Sequence, residues 1–337
     1  MSEVTASQEY SVVRDGGAGV LDLSSRGRLL VSGSEAVMFL NGLITNDVKT
    51  LAVNSWMPAV FPNVQGRLLA AVRIIHRADG FLIDTERPTL ETVAKLLERF
   101  TLAGDFRVTD LTSETATLSL QGAKAPEVML QALGETAANL ERQQMSTVQL
   151  PSDSNVSIIR ATHTAEDGFD LFVERDEAQA LHNSLTKAGA HPVGPDSLEV
   201  FRIEAGIPRY GVDMDETNVV TETNLDDAVS FTKGCYIGQE IIARIKYRGH
   251  VAKKLTGLLF ENEVALDRGA KIFSDDKEIG RVTSPTFSPR LGRTIALGYL
   301  KYDYLSPGTP VNVSAGNDRT EGKVAELPFI RGSWYTD

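Results

Sequence analysis

Beyond Lys254 the chain changes texture. The apolar runs LTGLLF, KIF, IGRVTS, TIALGYL, VNV and KVAEL are short, and Gly, Pro and Asp-Asp turns separate them. Runs of this length suit strands joined by tight turns rather than packed helices, so the C-terminal segment is predicted to be a small all-β barrel or sandwich. The residues before it mix periods. Two short strands flank Ser24-Ser25-Arg26-Gly27, Ser34 caps a helix through Asn41, and a strand lies near Met57 to Phe61. RLLAAVRIIH from Arg67 to His76 pairs with FLIDT across Ala78-Asp79-Gly80, and Leu90, Val93, Leu97 and Phe100 share a helical face. A second block follows: strand Thr117 to Leu120, helix Ala125 to Leu133, strands Val156 to Arg160 and Phe169 to Val173, helix Asp176 to Ala188. This is an α+β pattern followed by an all-β end.

The 337 residues are enough for two domains at roughly 150 residues each, or for three small ones. Apolar residues at 42% and charged residues at 23% fill ordinary cores, which excludes a disordered or fibrous chain. A net charge of −11 argues against a protein coated with basic charge for nucleic acid or membrane surfaces. The polar stretch Met1 to Val13 lacks the features of a signal peptide, and no apolar run is long enough for a membrane helix. The expectation is a soluble protein of a reducing compartment, the cytoplasm, with no membrane partner. One cysteine, Cys235, excludes an intrachain disulfide and any multi-cysteine metal site, and no metal site is expected.

The densest stretch is Pro195 to Arg248. Residues 210–227 hold six acids and no base, whereas residues 233–254 hold six bases and one acid, Glu240. Two readings are open: a pair of solvated faces, or an acidic loop beside a basic anion-binding rim. Within this stretch Lys233-Gly234-Cys235-Tyr236-Ile237-Gly238-Gln239-Glu240 opens a helical pattern through a glycine-bracketed turn. A cationic neighbour and a helix N-terminus are the conditions that make a thiol reactive. A small core cysteine is the competing reading.

Phe231 to Glu240 resembles the signature of the YgfZ family, folate-binding proteins that support iron–sulfur enzymes and tRNA modification. Phe201 to Gly211, with Asp213 and Asp215-Glu216-Thr217, is similar to the R-x-E-x-G pattern which that family shares with the glycine-cleavage T-protein. Gly19 to Ser24, Thr45-Asn46-Asp47-Val48, Thr286 to Pro289 and Ile295 to Tyr299 extend the likeness along nearly the whole chain. The resemblance implies a three-domain ring or cloverleaf, two α+β domains and a C-terminal antiparallel β-barrel, around a folate site. Residues 1–115 would form an α+β domain completed by part of 195–250, 116–194 a ferredoxin-like α+β domain, 195–250 the signature segment at the central cavity, and 251–337 the barrel.

The resemblance also implies site residues. His163 to Leu171 is similar to the T-protein's GYTGE-x-GFEI, which puts Asp170 where that family contacts the pterin. A carboxylate accepts the 2-amino and N3 hydrogens of a pterin as a pair. His163 would flank the ring, and Arg202, with Glu204 in the same motif, would meet folate carboxylates or the ring carbonyl. Cys235 becomes the reactive or ligating thiol, Lys233 the group that biases it toward thiolate, and Tyr236 a cavity-lining residue. The implied cofactor is tetrahydrofolate or a one-carbon-substituted folate, and the implied partners are iron–sulfur proteins or assembly factors.

Asn63-Val64-Gln65-Gly66-Arg67-Leu68-Leu69-Ala70-Ala71 aligns with a T-protein element that ends in two acids, one of which handles protons during aminomethyl transfer. Ala70 and Ala71 stand at those positions, and an alanine exchanges no proton. The expectation is therefore a folate-binding accessory protein. The alternatives are a one-carbon transferase in which Asp47 or Glu166 replaces the missing acid, and an RNA-facing protein that uses Arg244, Lys246 and Arg248.

Overall fold

The computed structural model describes residues 3–102, 104–316 and 318–335. In chain order the elements are α1 (Glu3–Arg14), β1 (Gly19–Asp22), β2 (Gly27–Ser32), α2 (Ala36–Leu43), β3 (Ser55–Pro62), β4 (Leu68–Arg77), β5 (Gly80–Thr85), α3 (Leu90–Glu98) and β6 (Arg107–Asp110). Then come β7 (Thr115–Gln121), α4 (Ala125–Leu133), α5 (Glu135–Ala138), β8 (Met145–Gln149), β9 (Asn155–Arg160), β10 (Gly168–Glu174), α6 (Ala178–Lys187), β11 (His191–Pro192), α7 (Pro195–Glu204) and α8 (Gln239–Arg248). The chain ends with β12 (Lys253–Phe260), β13 (Lys271–Ser274), β14 (Lys277–Ser288), β15 (Arg293–Lys301), β16 (Pro310–Ala315) and β17 (Asp318–Ala325).

β4 shows how the first sheet is made. Leu68, Ala70, Val72 and Ile74 alternate inward, while Leu69, Ala71 and Arg73 occupy the opposite face, the period of two that a strand imposes. β4 and β5 form a hairpin closed at Gly80, whose φ of +140° and 2.3 Å approach of a built Cβ to Val31 O require glycine. The antiparallel order is β3-β4-β5-β2-β6. α3 buries Val93 and Leu97 against it, as its apolar spacing predicts. α2 begins after Glu35 rather than after Ser34, whose amide and hydroxyl instead donate to Asp105 at 2.9 and 3.0 Å.

The second sheet runs β11-β1-β7-β10-β9-β8, with β1 parallel to β11 and the other neighbours antiparallel. β1 and β2 flank one turn in sequence yet enter different sheets. Residues 19–22 are thus hydrogen-bonded among strands from 115–192, across the boundary expected at residue 115. Val20 packs with Leu118, Leu120 and Phe169, whereas Leu29 and Val31 pack with Ile74 and Ile83.

β12-β15-β14-β13-β16-β17 close into an antiparallel barrel filled by Leu258, Phe260, Ile272, Val282, Leu300 and Val313. The fold is two α+β units and a closed six-stranded barrel, as expected. Among the described residues no helix is long and apolar enough to cross a membrane.

Candidate functional site

A cavity of about 900 Å³ lies where the three units meet. The first sheet supplies Trp56, Pro58, Ala71 and Arg73, the second unit Ala161 to His163, the segment after α7 Ala205 to Pro208, and the barrel Lys254 to Thr256 and Ala325 to Pro328. This size suits a drug-sized ligand, and junctions between units are where such sites concentrate.

Its polar wall is one connected set of charges. Asp84 on β5, fully buried, takes Arg26 at 2.7 Å and Arg73 at 2.8 Å. Arg73 also reaches Asp170 on β10, and His163 Nε2 lies 2.9 Å from the same carboxylate oxygen. The network therefore bridges the two sheets. Arg26, Arg73 and His163 line the cavity, and Asp170 is fully buried among them. Burial alone would raise the Asp170 carboxyl; the charges of His163 and Arg73, with hydrogen bonds from His163 and Ser119, overcome it and hold the group well below the usual carboxylate range. Asp170 and His163, paired by resemblance, meet at this wall. Asp170 meets Arg73 and His163 through the same oxygen, Oδ2, and does not itself line the cavity, so its influence on a ligand passes through those two side chains.

The signature segment lies elsewhere. Lys233 is buried and its ammonium donates to the carbonyls of Asn41, Ile44 and Asn46 at 2.8, 2.9 and 2.6 Å. Burial draws it down to about 8, with Asp47 opposing. Tyr236, expected at the cavity, is instead buried with Val60, Leu68, Met214 and Ile242. Cys235 between them is exposed and does not line the cavity. Lys233 thus anchors the turn to α2 and the loop after it, in place of the expected role beside the thiol. Gly238, at φ +78°, lets α8 begin against the Asn63–Gly66 turn, since a Cβ there would stand 2.4 Å from Asn63 O. Two motifs far apart in sequence are in direct contact.

Arg202 and Glu204, expected at a folate contact, are held in ion pairs and hydrogen bonds between units. Arg202 pairs with Asp213 at 2.7 Å and with Glu199, and donates to Ser284 Oγ at 2.8 Å on the barrel. Glu204, fully buried, receives Arg14 Nε and Nη2 at 2.9 and 2.8 Å, Tyr10 Oη at 2.8 Å and Ser288 Oγ at 2.5 Å. Neither lines the cavity; together they fasten α7 to α1 and to the barrel. Glu166 is likewise committed, to Arg14 and Ser333, and Asp47 accepts from Lys49 N at 3.1 Å. The basic stretch is dispersed: Lys254 lies 3.7 Å from Asp226, Lys246 sits over the Phe231 ring, and Arg244 is exposed. The Arg248 side chain lies outside the described residues. Sequence reasoning missed Arg73, Asp84, Trp56 and Trp334 in the cavity region; the alternation of β4 was the available signal for Arg73.

Two α+β units and a closed barrel around a junction cavity define the class: a protein with the fold of the glycine-cleavage T-protein. Residues 2–233 match the GCVT N-terminal domain and residues 253–330 the glycine cleavage T-protein C-terminal barrel domain, and the chain belongs to that aminomethyltransferase family. An aminomethyltransferase of Geobacillus sp. (strain WCH70) is 29% identical over 335 residues, covering 96% of this chain and 90% of that protein. One of Aquifex aeolicus is 30% identical over 315 residues, covering 93% and 84%. The crystal structure of glycine cleavage system aminomethyltransferase T from Bartonella henselae has the same fold, with a TM-score of 0.87 over 97% of this chain and 90% of that one at 24% identity.

Proposed function

We propose that this chain binds tetrahydrofolate, or a one-carbon-substituted folate, in the central cavity, and is a YgfZ-type cytoplasmic protein that assists iron–sulfur enzymes, including tRNA-modifying ones. The observation that carries the distinction from aminomethyl transfer is Ala71. It lines the cavity two residues from Arg73 on the same face of β4, and Ala70 is fully buried behind it. The wall that would hold a proton-handling carboxylate carries a methyl group there.

The residues present suit a pterin. Trp56 and Pro58 offer flat apolar surface, and the Trp56 Nε1 donor is buried without a protein partner. Arg73 and His163 offer donors whose orientation Asp84 and Asp170 maintain. When bound, the folate supplies one-carbon chemistry; the chain's residues orient it and exclude water. Cys235 is exposed on a turn whose neighbours Lys233 and Tyr236 are anchored. A single thiolate holds no cluster alone, so any cluster contact is shared with a second molecule.

Calorimetry with tetrahydrofolate tests the cofactor: wild type binds and Asp170→Ala weakens it, whereas absence of binding overturns the assignment. In cells lacking the protein, Cys235→Ala is expected to leave iron–sulfur enzymes unrestored; full rescue removes the thiol from the function. A second reading, a working aminomethyltransferase, is favoured by the names of the relatives. Turnover of an aminomethylated lipoyl carrier at enzymatic rates would establish it; the expected result is background.

A further inference from the structure

Lys253, near the end of the basic stretch, takes no part in the central cavity. It lines a second cavity of about 380 Å³ on the barrel, together with Glu278, Arg281, Tyr299 and Lys301. Leu258, Val282 and Leu300 fill the barrel core, so by strand alternation Lys253, Arg281, Tyr299 and Lys301 share its outer face.

The register sets cations against one another there. Lys253 on β12 stands directly opposite Lys301 on β15, and Arg281 on β14 directly opposite Lys271 on β13. Like charges in facing positions of an antiparallel pair cost stability unless something neutralises them. The carboxylate that lines this cavity, Glu278, is taken by Lys271 at 2.8 Å, and the Glu278 carbonyl accepts from Lys301 Nζ at 2.9 Å. Lys253 Nζ stands 5.1 Å from the centroid of the Tyr299 ring. Among the described residues, neither Lys253 nor Arg281 has a hydrogen-bond or ion-pair partner for its side chain.

Tyr299 is 1% exposed, and its hydroxyl is buried with no hydrogen-bond partner. Burial, and after it the charge of Glu222, keeps that phenol protonated, so what it offers is a donor. The acidic loop does not fill the cavity. Asp213 is committed to Arg202, Thr283 and Ser284, Glu222 to Asn218, and Asp215 to Thr217, while Arg281 and Lys253 act on Asp215 through longer-range charge. A buried donor without an acceptor, beside cations without a counter-charge, is completed by an anion.

We propose that this outer face of the barrel binds a phosphoryl group, with Arg281 and Lys253 as the charged contacts, Tyr299 Oη as the buried donor and Lys301 at the edge. A phosphoryl group suits the wall better than a carboxylate because its three terminal oxygens can meet donors from β12, β14 and β15 together. The volume leaves room for a small organic group that carries it, as in a phosphate monoester. The site is separate from the central cavity and does not depend on the folate reading.

The test is titration calorimetry of the full chain in zwitterionic buffer, with inorganic phosphate and adenosine monophosphate as probes and ionic strength matched by sodium chloride. Both are expected to bind; tighter binding of the monoester assigns the rest of the cavity to the carrier, and equal binding makes free phosphate the ligand. Arg281→Gln should weaken both about tenfold, the scale of one charge-assisted hydrogen bond, and Tyr299→Phe, which removes the hydroxyl and keeps the ring, should weaken both several-fold. Phosphate should also raise the thermal midpoint of wild type above that in matched chloride, and Arg281→Gln should lose that rise. Lys323→Gln, on the barrel but outside the cavity, should leave all of this unchanged. If Tyr299→Phe does not fold, Lys253→Gln takes its place. Absence of binding to wild type up to about 10 mM probe, equal weakening by Lys323→Gln, or wild-type affinity in the cavity variants overturns the proposal.

Discussion

Two buried charge clusters of similar make-up behave differently. In one, Arg26, Asp84, Arg73, Asp170 and His163 join two sheets and turn Arg26, Arg73 and His163 to the cavity. In the other, Arg14 stands between Glu166 and Glu204, with Tyr10 and Ser288 completing the shell, and nothing of it lines the cavity. The difference lies in which side of each cluster remains uncovered. A charge network closed on all sides is a bolt between units, while one with an open edge is a surface that a ligand can meet.

Breaking the closed cluster is expected to have the largest effect on stability. Glu204→Ala leaves the Arg14 guanidinium with one carboxylate and should cost about 3–5 kcal/mol in chemical denaturation. A loss below about 1 kcal/mol would mean that the cluster fastens nothing. Asp170→Asn in the open cluster should cost less, about 2 kcal/mol, but should reduce ligand affinity as well, which Glu204→Gln should not. Its pH dependence follows from the depressed Asp170 value. That contribution is fully present above the unfolded carboxylate value of about 4 and is lost as pH falls below it toward the depressed folded value, so wild type should lose stability more steeply than Asp170→Asn below about pH 4. Equal slopes would detach Asp170 from the acid transition.

The signature turn sharpens the same contrast on a smaller scale. Lys233→Met leaves three carbonyls without their ammonium donor and should cost about 1–2 kcal/mol by thermal unfolding. Cys235→Ala, at an exposed position two residues further on, should change stability by less than about 0.5 kcal/mol. A larger loss there would make the thiol a packing residue.

Much of this architecture is readable from local pattern. The alternation of β4, the apolar face of α3 and the short runs after Lys254 each carry their own period, and the structure follows them. α1 escaped notice because, among its described side chains, Tyr10 and Val13 are the buried apolar ones, a signal too sparse to stand out in a polar segment. The site was less legible. Asp170 and His163 were found through a resemblance and do meet, but Arg202 and Glu204, equally prominent in their motif, face α1 and the barrel. A motif marks residues that a fold cannot easily exchange, and a bolt between units satisfies that condition as well as a ligand contact does.

Periodicity and turn chemistry depend on neighbours within a few positions, so strands, hairpins, the barrel and the lone cysteine follow from the order of residues along the chain. Which charges are covered depends on contacts spanning tens to hundreds of positions. The bond from Arg14 to Glu204, the approach of Asn63–Gly66 to Gly238 and the passage of Trp334 into the cavity wall exist only once three units have packed together. Burial then decides whether a lysine such as Lys233 is an electrostatic neighbour of a thiol or a donor to three carbonyls, because a desolvated ammonium is stable only where its hydrogen bonds are made.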